Sequence, residues 1–90
     1  MSYHIVFTQD ALKDIELLKK SGNKQVLSKL ASFFVELQEH PRQGTGQIEL
    51  LKHYKEETWS RRINKEHRLV YRINDDTIEV LVISAYGHYK

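Results

Sequence analysis

Six residues carry side chains that could together cleave a phosphodiester bond. They are a carboxylate, an imidazole, three cations and a phenol: Glu49, His88, Arg68, Arg62, Lys52 and Tyr89. RNA is cut without a metal when a base deprotonates the ribose 2′-hydroxyl, an acid protonates the departing 5′-oxygen and cations hold the charge on phosphorus. Taken singly, each residue also has an ordinary structural explanation, such as a strand charge for Glu49 or a frayed chain end for His88 and Tyr89.

Other kinds of chemistry find little support in the sequence. The five histidines lie far apart and form no close ligand pair, and the chain has no cysteine. Gly44 and Gly46 lack the Lys-Ser/Thr ending of a nucleotide-binding loop, and no serine stands in a Gly-x-Ser-x-Gly context. We therefore expect neither a metal nor a cofactor.

Positive charge is concentrated in one segment of the chain. The formal net charge is +2, yet residues 52–72 hold seven basic and three acidic side chains. Clustered lysine and arginine displace condensed counterions from nucleic acid, so the segment favours a phosphate-bearing partner. A solvated strand face is the other explanation, and charge alone does not separate the two.

Length and composition indicate one globular domain over residues 1–90. Hydrophobic residues make up 40% of the chain and charged residues 29%, values typical of a globular fold. No apolar run approaches the roughly 20 residues that cross a bilayer, and the amino terminus does not resemble a secretory signal. We expect a cytoplasmic protein without a membrane partner.

Spacing of apolar residues predicts a strand followed by two helices in the first forty residues. Tyr3–Phe7 has the β-branched and aromatic content of a strand. Helical spacing then follows Thr8 as far as Ser21-Gly22, and again follows Asn23 until Pro41, so Thr8 and Asn23 are the expected N-caps. Two helices joined so closely should form an antiparallel hairpin.

Beyond the loop at Pro41–Gly46, the sequence reads as strands. The extended runs are Ile48–Lys52, Thr58–Ile63, Arg68–Ile73 and Thr77–Ala85. We predict an α+β fold, in which an antiparallel sheet carries the helical hairpin on one face. Its order is β-α-α-β-β-β, with room for one more short strand.

Alternation within two of these runs predicts their register. Apolar residues fall mostly on odd positions of Thr58–Ile63 and Arg68–Ile73, which places the even positions on the opposite face. An odd-length connection then sets Arg62 directly across from Arg68. Two like charges roughly 5 Å apart destabilise an empty sheet, which suggests that they share an anionic ligand. Trp59 and Tyr71, on odd positions, are expected in the core.

Four blocks of the sequence resemble the Txe/YoeB toxins of the RelE superfamily. The blocks are Lys52–His53, Trp59–Ile63, Glu66–Tyr71 and His88–Tyr89, and their spacing agrees with the family. The resemblance extends over essentially the whole chain, although the first forty residues match by pattern more than by identity. Two differences from the family are the chain end, with Tyr86-Gly87 before His88 and Lys90 after Tyr89, and the stretch Gln47–Leu50, which lacks the prolines often found around the glutamate.

The resemblance implies a RelE-like fold and a metal-independent endoribonuclease that cuts messenger RNA in the ribosomal A site. A YefM/Phd-like antitoxin would neutralise it, and homodimerisation is left open. Carried over by position, the general base is Glu49, the general acid is His88 and the main phosphate-holding cation is Arg68. The remaining candidates add positive charge or border the site: Arg62, Lys52 and Tyr89.

A binding protein without catalysis is the principal alternative. It would use the same fold to poison gyrase or to bind the ribosome, with the polar residues serving as RNA-binding and antitoxin-binding groups. Glu49 together with His88 argues against it, because binding alone needs no acid–base pair.

Overall fold

The structure is a computed structural model that describes residues 2–87. Two helices and five strands follow one another as β1 His4–Phe7, α1 Gln9–Lys20, α2 Lys24–Glu39, β2 Glu49–Leu51, β3 Thr58–Arg62, β4 Arg68–Asn74 and β5 Glu79–Ser84. The short strand β2 is the additional strand that the sequence left room for. Neither helix is long and apolar enough to cross a bilayer.

Both helices begin at the residues that the sequence predicts as N-caps. The Thr8 hydroxyl accepts a hydrogen bond from the Ala11 N–H at 3.0 Å, and Asn23 Oδ1 accepts from the N–H groups of Gln25 and Val26. These contacts satisfy donors that the first helical turn leaves unpaired. Gly22 adopts a φ of 72° between the helices, which lets the chain reverse into a hairpin.

The five strands form one sheet in the order β1-β5-β4-β3-β2. Strands β2 to β5 pair antiparallel, as expected, and the α+β class is confirmed. Strand β1 instead joins the edge parallel to β5, with Ile5 opposite Val80. No hairpin turn links these two distant strands, so nothing local imposes an antiparallel direction on them.

Strands β3 and β4 pair in the predicted register. Arg62 lies opposite Arg68, and Trp59 lies opposite Tyr71. The odd positions face the helices, where the core contains Ile63, Leu69, Tyr71 and Ile73 with Phe33 and Leu37 of α2. Trp59 packs against this core and Tyr71 is fully buried, which confirms their predicted places.

The last strand begins later than its sequence indicates. Asn74 Oδ1 accepts hydrogen bonds from the N–H groups of Asp76 and Thr77, and Ile78 adopts a φ of 54°. The turn after Asn74 therefore continues through Thr77 and Ile78, which were predicted to be extended. Strand β5 therefore begins at Glu79 rather than at Thr77.

A fully buried arginine joins the helical layer to the loop at residues 41–47. The Arg61 guanidinium donates to Glu36 Oε1 at 2.5 Å, to the His40 carbonyl at 3.0 Å and to the Gln43 carbonyl at 2.9 Å. Its Nε donates to the Tyr71 hydroxyl at 3.1 Å. Arg61 stands at an odd position of β3 and therefore points into the core. It forms an ion pair there, and its other donors are hydrogen-bonded, because a buried charge must be paired.

Removing the partner of Arg61 should destabilise the fold severely. Glu36→Ala leaves a buried guanidinium without its carboxylate, and we expect a loss of about 3–5 kcal/mol in the free energy of unfolding, measured in urea. Glu39→Ala, on the exposed side of the same helix, is the matched control and should change it by less than about 0.5 kcal/mol. Equal losses in the two variants would contradict the role of the ion pair.

The same pair should make stability depend on acid. Burial raises the pKa of Glu36, but hydrogen bonds from Thr45 and Arg61 outweigh burial and hold the pKa below the ordinary 4.5. A carboxyl whose pKa is lower in the folded chain than in the unfolded chain stabilises the fold at pH values above its ordinary pKa. This stabilisation is lost as the pH falls through the pKa of the folded chain. The free energy of unfolding that the parent gains over Glu36→Gln should therefore shrink as the pH falls below the ordinary pKa of 4.5, as measured in urea titrations. A gap that is independent of pH is the contrary result.

Candidate active site on the polar face of the sheet

Glu49 and Arg68 lie side by side on the face of the sheet that points away from the helices. Glu49 begins β2 and pairs with Ser60, while Arg68 begins β4. Arg68 Nη2 lies 4.0 Å from Glu49 Oε1, and the two side chains are 16% and 65% exposed, respectively. The carboxylate is therefore open to a ligand, whereas the cation beside it is largely enclosed.

Four side-chain hydrogen bonds hold the two facing arginines on this side of the sheet, one of them from Arg62 Nε to the Asn64 carbonyl at 3.2 Å. Arg68 Nη2 donates to the Gln47 carbonyl at 3.1 Å, and Arg68 Nε donates to Ser60 Oγ, also at 3.1 Å. Arg62 Nη1 donates to Gln47 Oε1 at 3.4 Å. Both guanidiniums converge on Gln47, so Arg62 and Arg68 share a face as the alternation predicts.

The loop before β2 is shaped so that Gln47 reaches both arginines. Gly46 has a φ of 98°, and a Cβ there would lie 2.6 Å from the Phe33 ring, so only glycine fits. The Gly46 carbonyl accepts from the backbone N–H of Arg62, and Gln47 itself adopts a φ of 48°. This backbone path delivers Gln47 and then Glu49 to the polar face.

Of the other three candidates, Lys52 alone lies among the described residues 2–87. Lys52 is exposed in the turn directly after β2, and within residues 2–87 it forms no ion pair with Glu49. His88 and Tyr89 lie outside the described residues. The chain reaches them from Gly87, whose carbonyl accepts a hydrogen bond from the Arg68 N–H at 3.0 Å.

Sequence reasoning missed several residues that shape the site. Ser60 is fully buried and accepts from Arg68, and Gln47 contacts both arginines. Both residues are polar, but neither stands in a sequence motif that indicates a functional role. A signal did exist for Arg72, because its even position in β4 puts it on the same face as Arg68, roughly 13 Å along the strand.

Arg72 extends the positive surface away from Glu49. Its Nε lies 3.6 Å from Glu56 Oε2 and is buried without a hydrogen-bond partner among the described residues. Because Arg62, Arg68 and Arg72 occupy one face, their combined field attracts an extended anion across β3 and β4.

The arrangement can perform proton transfer next to a bound anion. A carboxylate can accept a proton from a hydroxyl, and guanidiniums beside it can hold phosphate oxygens through forked donors. Among residues 2–87, no group of three or more histidine, aspartate or glutamate side chains is placed to bind a metal ion.

Known proteins resemble this chain along nearly its full length. A sequence model of the YoeB-like toxin of bacterial type II toxin–antitoxin systems matches residues 7–89. Toxin YoeB of Escherichia coli K12 is 32% identical over 85 residues, which cover 94% of this chain and 98% of that protein.

Solved structures of relatives share the fold. The YoeB dimer from Staphylococcus aureus matches with a TM-score of 0.83 at 29% identity, covering 99% of this chain and 100% of the toxin chain. The toxin in the heterotetrameric YoeB–YefM complex from the same organism matches with a TM-score of 0.78 at 29% identity and the same coverage. The chain therefore belongs to the YoeB-like toxins of bacterial type II toxin–antitoxin systems.

Proposed function

We propose that this toxin is a metal-independent endoribonuclease that cuts messenger RNA in the ribosomal A site and so inhibits translation. The observation that carries the proposal is the approach of the exposed Glu49 carboxylate to the Arg68 guanidinium, at 4.0 Å, with Arg62 directly across the strand pair. A general base next to a phosphate-holding cation is what cleavage of RNA through its own 2′-hydroxyl requires. The family resemblance implies the same activity.

In the proposed reaction, Glu49 removes the proton of the ribose 2′-hydroxyl. The oxygen attacks the adjacent phosphorus, the bond from phosphorus to the 5′-oxygen breaks, and a 2′,3′-cyclic phosphate forms. His88 donates its proton to the departing 5′-oxygen. Arg68 and Arg62 stabilise the negative charge that grows on the phosphate oxygens. In a preorganised site, such electrostatic stabilisation is usually the largest single contribution to the rate.

Positive charge on the polar face also accounts for the proposed partners. Lys52 and Arg62 would contact RNA phosphates, and Tyr89 offers a ring on which a base can stack. An antitoxin that covers this face must present an acidic segment, which supports a YefM/Phd-like partner. The YoeB–YefM complex and the YoeB dimer of S. aureus support such a partner and a homodimer. We place the activity in one cytoplasmic domain, residues 1–90.

A toxin that binds without cleaving is the second candidate. The hydrogen bonds that fix Arg68 to Ser60 and Gln47 would suit passive binding of a phosphate backbone equally well. The accessible carboxylate of Glu49 distinguishes the two functions, because a carboxylate repels the phosphates that a binding surface attracts.

The cleavage reaction should depend on Glu49. On ribosomes programmed with messenger RNA, Glu49→Gln should lower the cleavage rate by about 10²–10⁴-fold, because the amide cannot accept the proton. Glu16→Gln, an exposed substitution on α1, is the matched control and should cleave at the parent rate.

Arg68→Met and His88→Ala complete this comparison. Removing one preorganised donor typically costs about 10²–10³-fold, so each folded variant should lose the discrete cuts. A parent protein that binds ribosomes but leaves the messenger intact would reject the nuclease and favour the binding toxin.

Arg62 should contribute one phosphate contact to RNA binding. In a Glu49→Gln background, Arg62→Gln should reduce the slope of log affinity against log salt by about 0.7 for a single-stranded RNA oligonucleotide. Lys13→Gln, on the helical side of the molecule, should leave the slope unchanged. An unaltered slope in the Arg62 variant would remove this residue from the RNA-binding surface.

A further inference from the structure

The chain is held firmly at the residues immediately before His88. The N–H of Gly87 donates to Nδ1 of His67 at 2.8 Å, and its carbonyl accepts from the N–H of Arg68 at 3.0 Å. The ring of Tyr86 packs against the His67 ring, with the ring centroids 4.4 Å apart. His67, the last residue before β4, and Arg68, the first residue of β4, therefore bind Tyr86 and Gly87 of the terminal segment, residues 85–87.

His67 is itself held in place by the turn that precedes β4. Asn64 Oδ1 accepts from the N–H of His67 at 2.8 Å, and the His67 carbonyl accepts from the N–H of Ile63 at 2.9 Å. Only about 9% of the residue is exposed. Because the backbone of His67 is held and its side chain is nearly buried, the imidazole has little conformational freedom to lose when it binds Gly87. It can therefore hold Gly87 in a defined position.

The hydrogen bond defines the chemical state of the imidazole. Nδ1 accepts from Gly87, so the neutral ring carries its proton on Nε2, which lies 4.0 Å from Glu66 Oε2. An acceptor at Nδ1 is the feature that a substitution must keep or remove.

We propose that His67 is a positioning residue that fixes the chain at Gly87, the residue directly before the proposed general acid His88. The inference rests on the proposed nuclease function. Arg68 supplies its side chain to the site and its backbone N–H to Gly87, so the terminal segment is aligned to the same residue that would hold the phosphate. Displacing a reacting group by about 1 Å can lower the rate about 100-fold, so we expect loss of this anchor to slow cleavage.

The terminal segment has a second anchor that does not involve His67. The N–H of Ala85, a fully buried residue, donates to Asp14 Oδ2 of α1 at 3.0 Å. Loss of the His67 contact therefore frees the Gly87 N–H and the Tyr86 ring, while the Arg68–Gly87 backbone hydrogen bond and the Ala85 anchor remain and the core beneath stays packed. Its effect should appear in catalysis rather than in folding.

Two substitutions of His67 separate the acceptor from the ring. His67→Asn keeps an oxygen near the position of Nδ1 and loses the ring, whereas His67→Phe keeps a ring against Tyr86 and loses the acceptor. Hydrogen exchange of the Gly87 amide, followed by NMR, reports the anchor directly. Steady-state cleavage on programmed ribosomes reports its consequence, and thermal unfolding checks that each variant is folded.

The expected result is that His67→Phe exposes the Gly87 amide to exchange and lowers kcat by about 10–100-fold with KM nearly unchanged. His67→Asn should retain protection and lie within a few fold of the parent. Gly87→Ala should resemble His67→Phe, because Gly87 has a φ of 84° that alanine adopts poorly, although a Cβ there meets no neighbour.

Two outcomes would overturn the inference. If the Gly87 amide stays protected in His67→Phe, His67 does not anchor Gly87. If the amide exchanges but kcat equals that of the parent, the anchor has no positioning role in catalysis. Failure of the nuclease proposal looks different, because the parent itself would then be inert. In that case the exchange data still decide whether His67 holds Gly87.

Discussion

The buried guanidinium of Arg61 is the constraint on which the site depends. It lies between α2 and the sheet with no exposed surface, and its donors are used by Glu36, the Tyr71 hydroxyl and carbonyls of the loop at residues 41–47. A charge in this position is tolerated only with its partners in place. The loop is therefore drawn onto the core by electrostatics and hydrogen bonds, since a stretch rich in glycine and polar residues has little apolar surface to bury.

Alternation along β3 links the buried Arg61 to the arrangement of the polar face of the sheet. Arg61 and Arg62 are neighbours in the chain, so one points into the core and the other points to the polar face. The same loop satisfies both, because the Gly46 carbonyl accepts from the Arg62 backbone while Gln47 accepts from the side chains of Arg62 and Arg68. The position of Glu49 beside Arg68 follows from how the core holds the preceding loop.

Local rules predicted the parts of the fold that local physics determines. The N-caps Thr8 and Asn23, the end of α1 before Ser21-Gly22 and the pairing of Arg62 with Arg68 all follow from side-chain chemistry, a period of two and a short connection. The parallel pairing of β1 with β5 was not predictable, because it joins segments more than seventy residues apart. Gln47 and His67 were missed for the same reason: their partners are distant in sequence, and neither residue type implies them.

Arg68 connects the separate elements of the site. Its side chain contacts Gln47 and Ser60 and approaches Glu49, while its backbone N–H binds Gly87. Glu49, which we propose as the base, and the segment that leads to His88 thus both contact Arg68, the first residue of β4. Proton transfer is sensitive to small changes in distance, so a small domain gains precision when its catalytic groups share one reference point. The Glu66–Tyr71 block has a physical rationale in these terms, since His67 and Arg68 together fix the terminal segment while Leu69 and Tyr71 bury the strand that carries them.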